Sequence, residues 1–118
     1  MPRMPDWLEP MAATLTEERF SGPEWIFERK FDGIRGLAFK RGKNVVIYSR
    51  NRLPQHRPDI VAAIQELDCR ECILDGELSW HEQKSGYDVF DILWLDGRDL
   101  TGLPLIERRT LLRTLPRT

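Results

Sequence analysis

A chain of 118 residues holds enough material for one domain with its own core, and 41% hydrophobic against 31% charged residues excludes the disordered and membrane-spanning classes. The net charge of −1 conceals an asymmetry, since residues 28–57 carry nine Lys/Arg against two acids and residues 58–99 carry three against eleven. A basic half suits a polyanion such as nucleotide phosphate or DNA, and the same charges also serve as solvated turn residues.

The N-terminal run "MPRMPDWLEPM" has neither a continuous apolar stretch nor a small-residue cleavage site, which points to a cytoplasmic chain instead of a secreted one. "WIFERK" alternates in a way that predicts a strand with Glu28 and Lys30 on one face. "IRGLAFK" and "NVVIYSR" predict two more strands joined through "RGKN", whose Gly42 and Asn44 suit a hairpin. On the first, Arg35, Leu37 and Phe39 share a face; on the second, Val46, Tyr48 and Arg50 do. "RPDIVAAIQEL" predicts an amphipathic helix that Pro58 opens, burying Ile60, Val61, Ile64 and Leu67.

"CILDGEL" reads as a strand with Asp75 and Glu77 on one face, and "YDVFDILWL" as a central strand that Asp96-Gly97 turns. "LPLIERRTLLRTL" predicts a helix entered through Pro104, with Leu105, Leu111, Leu112 and Leu115 buried and the charges of Glu107 to Arg109 solvated. Consecutive strands with short turns predict an α+β domain of antiparallel sheets with flanking helices. Neither G-x-G-x-x-G nor a Walker A loop occurs.

Cys69 and Cys72 form a C-x-x-C, compatible with a redox pair, with half of a zinc site, or with plain packing. No second C-x-x-C exists, and His56 and His81 match no common zinc spacing, so packing is expected, with Cys72 entering a strand and Cys69 closing the helix before it.

"FERKFDGIRG" sets Lys30 between Glu28 and Asp32 and follows it with Gly33 and Arg35. At its ordinary pKa of about 10.4, a lysine is almost entirely protonated near neutrality, so a nucleophilic lysine needs burial or neighbouring cations. Arg29, Arg35 and Arg50 are the cations within reach if the strands converge, while Glu28 and Asp32 oppose them unless a metal or those arginines engage them. By spacing alone K-x-D-G-x-R is equally a hairpin turn with a surface lysine.

Four motifs taken in order are more specific. "ERKFDGIR", "YSRNR", "ILDGEL" and "YDVFDILWLDGRDLTGLPLIERR" closely resemble the adenylation domain of ATP-dependent DNA ligases, the bacterial type especially. "WLEPMAATL" and "FSGPEWIFERK" share the likeness, so it extends from Trp7 to Leu115. The resemblance implies an ATP-grasp-like nucleotidyltransferase fold and a lysine, here Lys30, that attacks the α-phosphate of ATP, expels pyrophosphate and holds AMP for sealing nicked double-stranded DNA in repair or recombination.

By the same resemblance Glu28 lies beside the adenine pocket, Arg35 near the ribose and DNA end, and Arg50 on nucleotide phosphate. Glu77 would hold the ribose hydroxyls or help position Mg2+, and Phe90 would stack on adenine. A purine-covering aromatic, an acid on ribose hydroxyls and arginines that offset phosphate charge are chemically reasonable in themselves. Outside the likeness, Phe90 reads as core, Glu77 as a partner of Arg35 or Arg50, and Asp91 and Asp96 as structural.

Two departures from the family pattern stand out. Only twelve residues separate Glu77 from Phe90, where the family usually has a longer segment with a helix, and residues 1–118 lack the family's later acidic motif, paired lysines and OB-fold domain. Such a partial adenylation domain is expected to seal nicks poorly alone, since loss of preorganised positive charge typically costs about 10²–10³ in rate, and a second chain or domain would supply the missing motifs. An RNA ligase or capping-type nucleotidyltransferase shares K-x-D-G-x-R, and a silent nucleotide- or DNA-binding remnant would retain it.

Overall fold

The computed structural model describes residues 3–9, 33–81 and 84–115. The alternating runs expected to pair do so, forming an antiparallel hairpin of β1 (Gly33–Arg41) and β2 (Asn44–Tyr48). Gly42 closes it at φ 61°, a left-handed conformation that glycine adopts without a Cβ penalty. Helix α1 (Pro58–Gln65) follows, with Pro58 in its first turn and Ile60 and Ile64 buried. Strands β3 (Glu71–His81) and β4 (Lys84–Leu95) pair along their length, β5 (Arg98–Asp99) adds a short edge, and α2 (Leu105–Thr114) comes last. The sheet order is β2-β1-β3-β4-β5 with every neighbour antiparallel, the α+β arrangement expected. The strand expected over "WIFERK" lies outside the described residues.

Each face of the sheet buries a different set of residues, as strand alternation requires. On one, Leu37, Phe39, Ile73 and Trp94 pack against Met4, Trp7 and Leu8 of the N-terminal segment. On the other, Ala38, Ile47, Leu74 and Ile92 pack with Ile60 and Ile64 of α1, and Leu111 and Leu112 of α2 lie against them. Gly36 and Gly76 oppose each other across β1 and β3, and the Tyr87 hydroxyl donates to the Gly36 carbonyl at 2.7 Å. A Cβ on Gly76 would lie 2.6 Å from the Asp88 carbonyl oxygen and 2.8 Å from the Tyr87 ring, so this close approach requires glycine.

Several expectations need correction. "YDVFDILWL" lies inside the sheet as expected, but β4 meets β5 only through Trp94 and Leu95. It also departs from simple alternation: register shifts opposite Ile73/Leu74 and Asp75/Gly76 leave Leu93 and Phe90 without a directly facing residue on β3. "NVVIYSR" ends as a strand at Tyr48, and Arg50 falls in the turn beyond it, held by Arg52 N–H donating to the Ser49 carbonyl at 2.9 Å. Cys69 lies in the α1–β3 connection, past the helix end at Gln65.

The largest correction concerns α2. Its buried residue is Arg108, from the "ERR" expected to be solvated, while Leu105, Leu111, Leu112 and Leu115 are only partly covered. Arg108 donates from Nε to Asp91 Oδ1 at 2.8 Å, from Nη2 to Asp91 Oδ2 at 3.1 Å and from Nη1 to the Leu103 carbonyl at 2.6 Å. Asp91 is fully buried, so this fork answers a charge that water cannot reach. Asp91 and Asp96 are structural as expected: Asp96, at φ 44° beside Gly97 at φ 87°, accepts the Arg70 and Glu71 N–H groups at 2.7 and 2.9 Å. Among the described residues no helix is long and apolar enough to cross a membrane.

Replacing Arg108 with Ala leaves the buried Asp91 charge unanswered and should cost about 3–5 kcal/mol in urea unfolding, and a loss below about 1 kcal/mol would contradict the pairing. Gly76→Ala should destabilise by about 1–3 kcal/mol through the forced shift of β4, read in the same titration.

Candidate functional site

Three of the predicted site residues meet on the sheet face that carries Leu37 and Phe39. Arg35 sits on β1 directly opposite Glu77 on β3, because the register pairs Gly33 with Ser79 and Leu37 with Asp75. Phe90 joins them from β4, and its place at the register shift explains how it does so: a bulged residue is turned relative to plain alternation. The Arg35 guanidinium lies over the Phe90 ring, with Cζ 5.2 Å from the ring centroid, a cation–π contact.

Arg35 is aimed by a residue to which the sequence reading gave no role. Asp75, one diagonal step along β3, accepts from Arg35 Nε and Nη2, both at 2.6 Å, in a two-pronged fork. Its side chain is 0% exposed and that of Arg35 17%, so the carboxylate is sealed while the guanidinium reaches the surface. The hydrogen bond to Asp75 raises the Arg35 pKa above its already high ordinary value, outweighing burial, so the cation persists at any working pH. Burial pushes the Asp75 carboxyl above the ordinary carboxylate range, and the Arg35 fork only partly pulls it back. The two directions describe one tight pair in which the carboxylate bears the desolvation. The available signal was spacing, since Asp75 and Glu77 share a strand face.

Glu77 is half-buried and bends toward β1, where a Cβ added at Gly33 would lie 2.9 Å from its Cδ. Asp88, exposed on β4, is its cross-strand register partner. One or two carboxylates completed by substrate phosphates and water are what Mg2+ usually takes from a protein, so Glu77 with Asp88 fits that ion chemically. Among the described residues no group of three or more His, Cys, Asp or Glu could hold a metal.

Arg50 stands elsewhere, in the turn after β2. It lines a cleft of about 430 Å³ with Trp7, Glu9, Asn51 and Arg52, and the Arg52 guanidinium lies 5.5 Å from the Trp7 ring centroid. Lys30 and Glu28 lie outside the described residues, immediately before β1 and its Arg35. An apolar cleft of about 420 Å³ lies on the opposite, helix-bearing face, lined by Ile60, Ile64, Leu74, Tyr87, Val89 and Leu112. It holds none of the predicted site residues, and its lining offers little to a polyanion.

Comparison with known proteins gives the family. Residues 10–88 match the family model described as the ATP dependent DNA ligase domain. A probable DNA ligase of Saccharopolyspora erythraea is 35% identical over a stretch covering 89% of this chain and 26% of that protein. DNA ligase C of Mycobacterium tuberculosis is 31% identical over 76% of this chain and 33% of its own length. Among solved structures, the ligase domain of LigD from M. tuberculosis superposes with a TM-score of 0.61 at 26% identity, covering 71% of this chain and 33% of that one. A mycobacterial DNA ligase D complexed with ATP and MES shares the fold, with a TM-score of 0.57. The chain spans about a quarter to a third of the length of these proteins. With four motifs in order, an antiparallel α+β sheet and a family match over residues 10–88, the chain belongs to the ATP-dependent DNA ligase family.

Proposed function

We propose that residues 1–118 form part of an adenylation domain in which Lys30 takes AMP from ATP. The observation that carries this reading is the convergence of Arg35, Glu77 and Phe90 on one sheet face, with Arg35 on the strand that follows Lys30 in the chain. In the transfer the Lys30 amine forms a P–N bond to the α-phosphate, the bond to pyrophosphate breaks, and the amine proton leaves to solvent. The permanently charged Arg35, fixed by Asp75, favours loss of the Lys30 proton and offsets charge on the nucleotide.

Phe90 offers an aromatic surface for the purine, Glu77 accepts from ribose hydroxyls, and Glu28 belongs to the adenine side of the pocket. Arg50, with Arg52 beside it, faces phosphate from the β2 turn. Glu77 and Asp88 are the residues that would hold Mg2+, which supplies positive charge to the phosphates when bound. Nicked duplex DNA is the acceptor that the family points to, and the basic run over residues 28–57 gives its backbone a partner.

Incubation with α-labelled ATP and Mg2+, followed by denaturation, should leave label on the chain, and Lys30→Ala should abolish it. Label that survives Lys30→Ala would remove Lys30 from the nucleophile role, and no label on either protein would favour a silent nucleotide-binding remnant. Phe90→Ala should weaken ATP binding by about ten-fold, as expected for a lost base–aromatic stack, in a titration that follows nucleotide binding directly. Asp75→Asn should slow labelling by up to about 100-fold while the far-ultraviolet circular dichroism remains native, because Arg35 loses its aim.

A further inference from the structure

The turn after β2 holds an arginine in a conformation that arginine avoids. Ser49 and Leu53 close a three-residue loop, in which the Ser49 N–H donates to the Leu53 carbonyl at 2.8 Å and the Arg52 N–H donates to the Ser49 carbonyl at 2.9 Å. The Ser49 hydroxyl accepts the Leu53 N–H at 3.2 Å, and Tyr48 bridges to Pro54 beyond the loop. In loops of this form the third residue is left-handed and is by default glycine. Here it is Arg52, at φ 63°, so its side chain is kept against a backbone cost.

That side chain is held in place without being neutralised. The Arg52 guanidinium lies over the Trp7 ring, 5.5 Å from its centroid. Trp7 is itself fixed: Phe39 stacks on it with ring centroids 6.1 Å apart, Tyr48 meets it edge-on at 5.9 Å, and its Nε1 donates to Glu9 at 3.2 Å. An aromatic platform restrains a guanidinium without using its N–H donors, which stay in the plane of the fork for an oxygen ligand. Elsewhere the arginine donors are taken up, Arg35 by Asp75, Arg41 by Asp6, Arg57 by the Ser79 carbonyl and Arg108 by Asp91. Among the described residues no carboxylate or carbonyl is bonded to the guanidinium of Arg50 or Arg52, and both residues are exposed.

We propose that Arg52 grips a backbone phosphate of duplex DNA and that Trp7 is its positioning residue. The ligand follows from the family reading above; the residue pair rests on the loop and the ring. Trp7 is the one aromatic side chain lining the cleft of about 430 Å³, and Phe39 and Arg52 already occupy it, so the cleft takes a phosphate and sugar chain and not a base. Glu9 sets one carboxylate against the two guanidiniums of Arg50 and Arg52, which leaves the lining positive. Arg52 also lines a hollow of about 200 Å³ with Arg41 and Asn44, where Asp6 answers the Arg41 charge. The two hollows meet at Arg52, which suits an extended polyanion better than a single nucleotide.

The test is a fluorescence-anisotropy titration of the full chain against labelled duplexes, intact and nicked, between about 50 and 200 mM salt. Arg52→Gly should lower the magnitude of the slope of log K against log salt by about 1, equally for both duplexes. Its urea midpoint should stay level, because glycine relieves the backbone as the ring contact is lost. Trp7→Leu should weaken duplex binding through Arg52, so the double variant should bind no worse than Arg52→Gly alone; additive losses would remove Trp7 from the positioning role. No duplex binding by the parent chain, or an unchanged slope in Arg52→Gly with a lowered midpoint, would overturn the proposal. So would weaker binding of inorganic tripolyphosphate by Arg52→Gly with the duplex unaffected, since the cleft would then take a nucleotide's phosphates. Labelling of the parent chain reads the adenylation proposal separately: label with no change of slope fails the DNA grip alone, and a changed slope with no label fails the adenylation alone.

Discussion

Two fully buried carboxylates, Asp75 and Asp91, are register partners across β3 and β4, and the rest of the sheet must answer them. Like charges held this way out of water are tolerable only with a counter-charge for each. The structure supplies two arginines from different elements, Arg35 from β1 against Asp75 and Arg108 from α2 against Asp91. Either pair left half-made would strand a charge beside another of the same sign. The two acids thereby tie four elements together: β1 and α2 are both bound to the β3–β4 pair.

That arrangement also explains how a stable core presents a site. Asp75 is sealed, but its partner Arg35 is partly exposed and lies over Phe90, so the interaction that neutralises the core also fixes the direction of a partly exposed cation. The register shift at Phe90 belongs to the same constraint, since it separates Val89, packed toward the helices, from Asp91, bound by Arg108. Gly76 leaves room for the Tyr87 ring on the reverse face, and the Arg35 face can then stay polar around Glu77 while its far side is apolar. Asp75 therefore aims the exposed end of Arg35, and Asp91 holds α2 to the sheet.

Much of this was legible in the residues, and the parts that were not have physical reasons. Strand alternation located β1, β2 and β3 and correctly put Asp75 with Glu77 on one face, because period two is a direct consequence of backbone geometry. Pro58 and the Asp96-Gly97 pair marked a helix start and a tight turn for equally local reasons. The bulges of β4 left no such mark, since an extra residue changes facing without changing composition. Arg108 was misread as solvent-facing because a helix pattern does not show that a strand far away in sequence carries a buried acid. Arg50 was misplaced because β2 stops two residues short of it. At the candidate site, motif order singled out Arg35, Glu77 and Phe90, which the sheet brings together, but Asp75, which aims Arg35, becomes visible only once β1 and β3 are paired.

The most direct test of the nucleotide-face reading is a backbone amide chemical-shift titration of the full chain with ATP. The Arg35–Asp75 account predicts that perturbations concentrate on β1 and β3 around Arg35, Asp75 and Glu77 and on β4 at Phe90, leaving Ile60, Ile64 and Leu112 on the helix face unmoved. Perturbations confined to the apolar cleft between α1 and α2, with Arg35 and Phe90 unaffected, would contradict it.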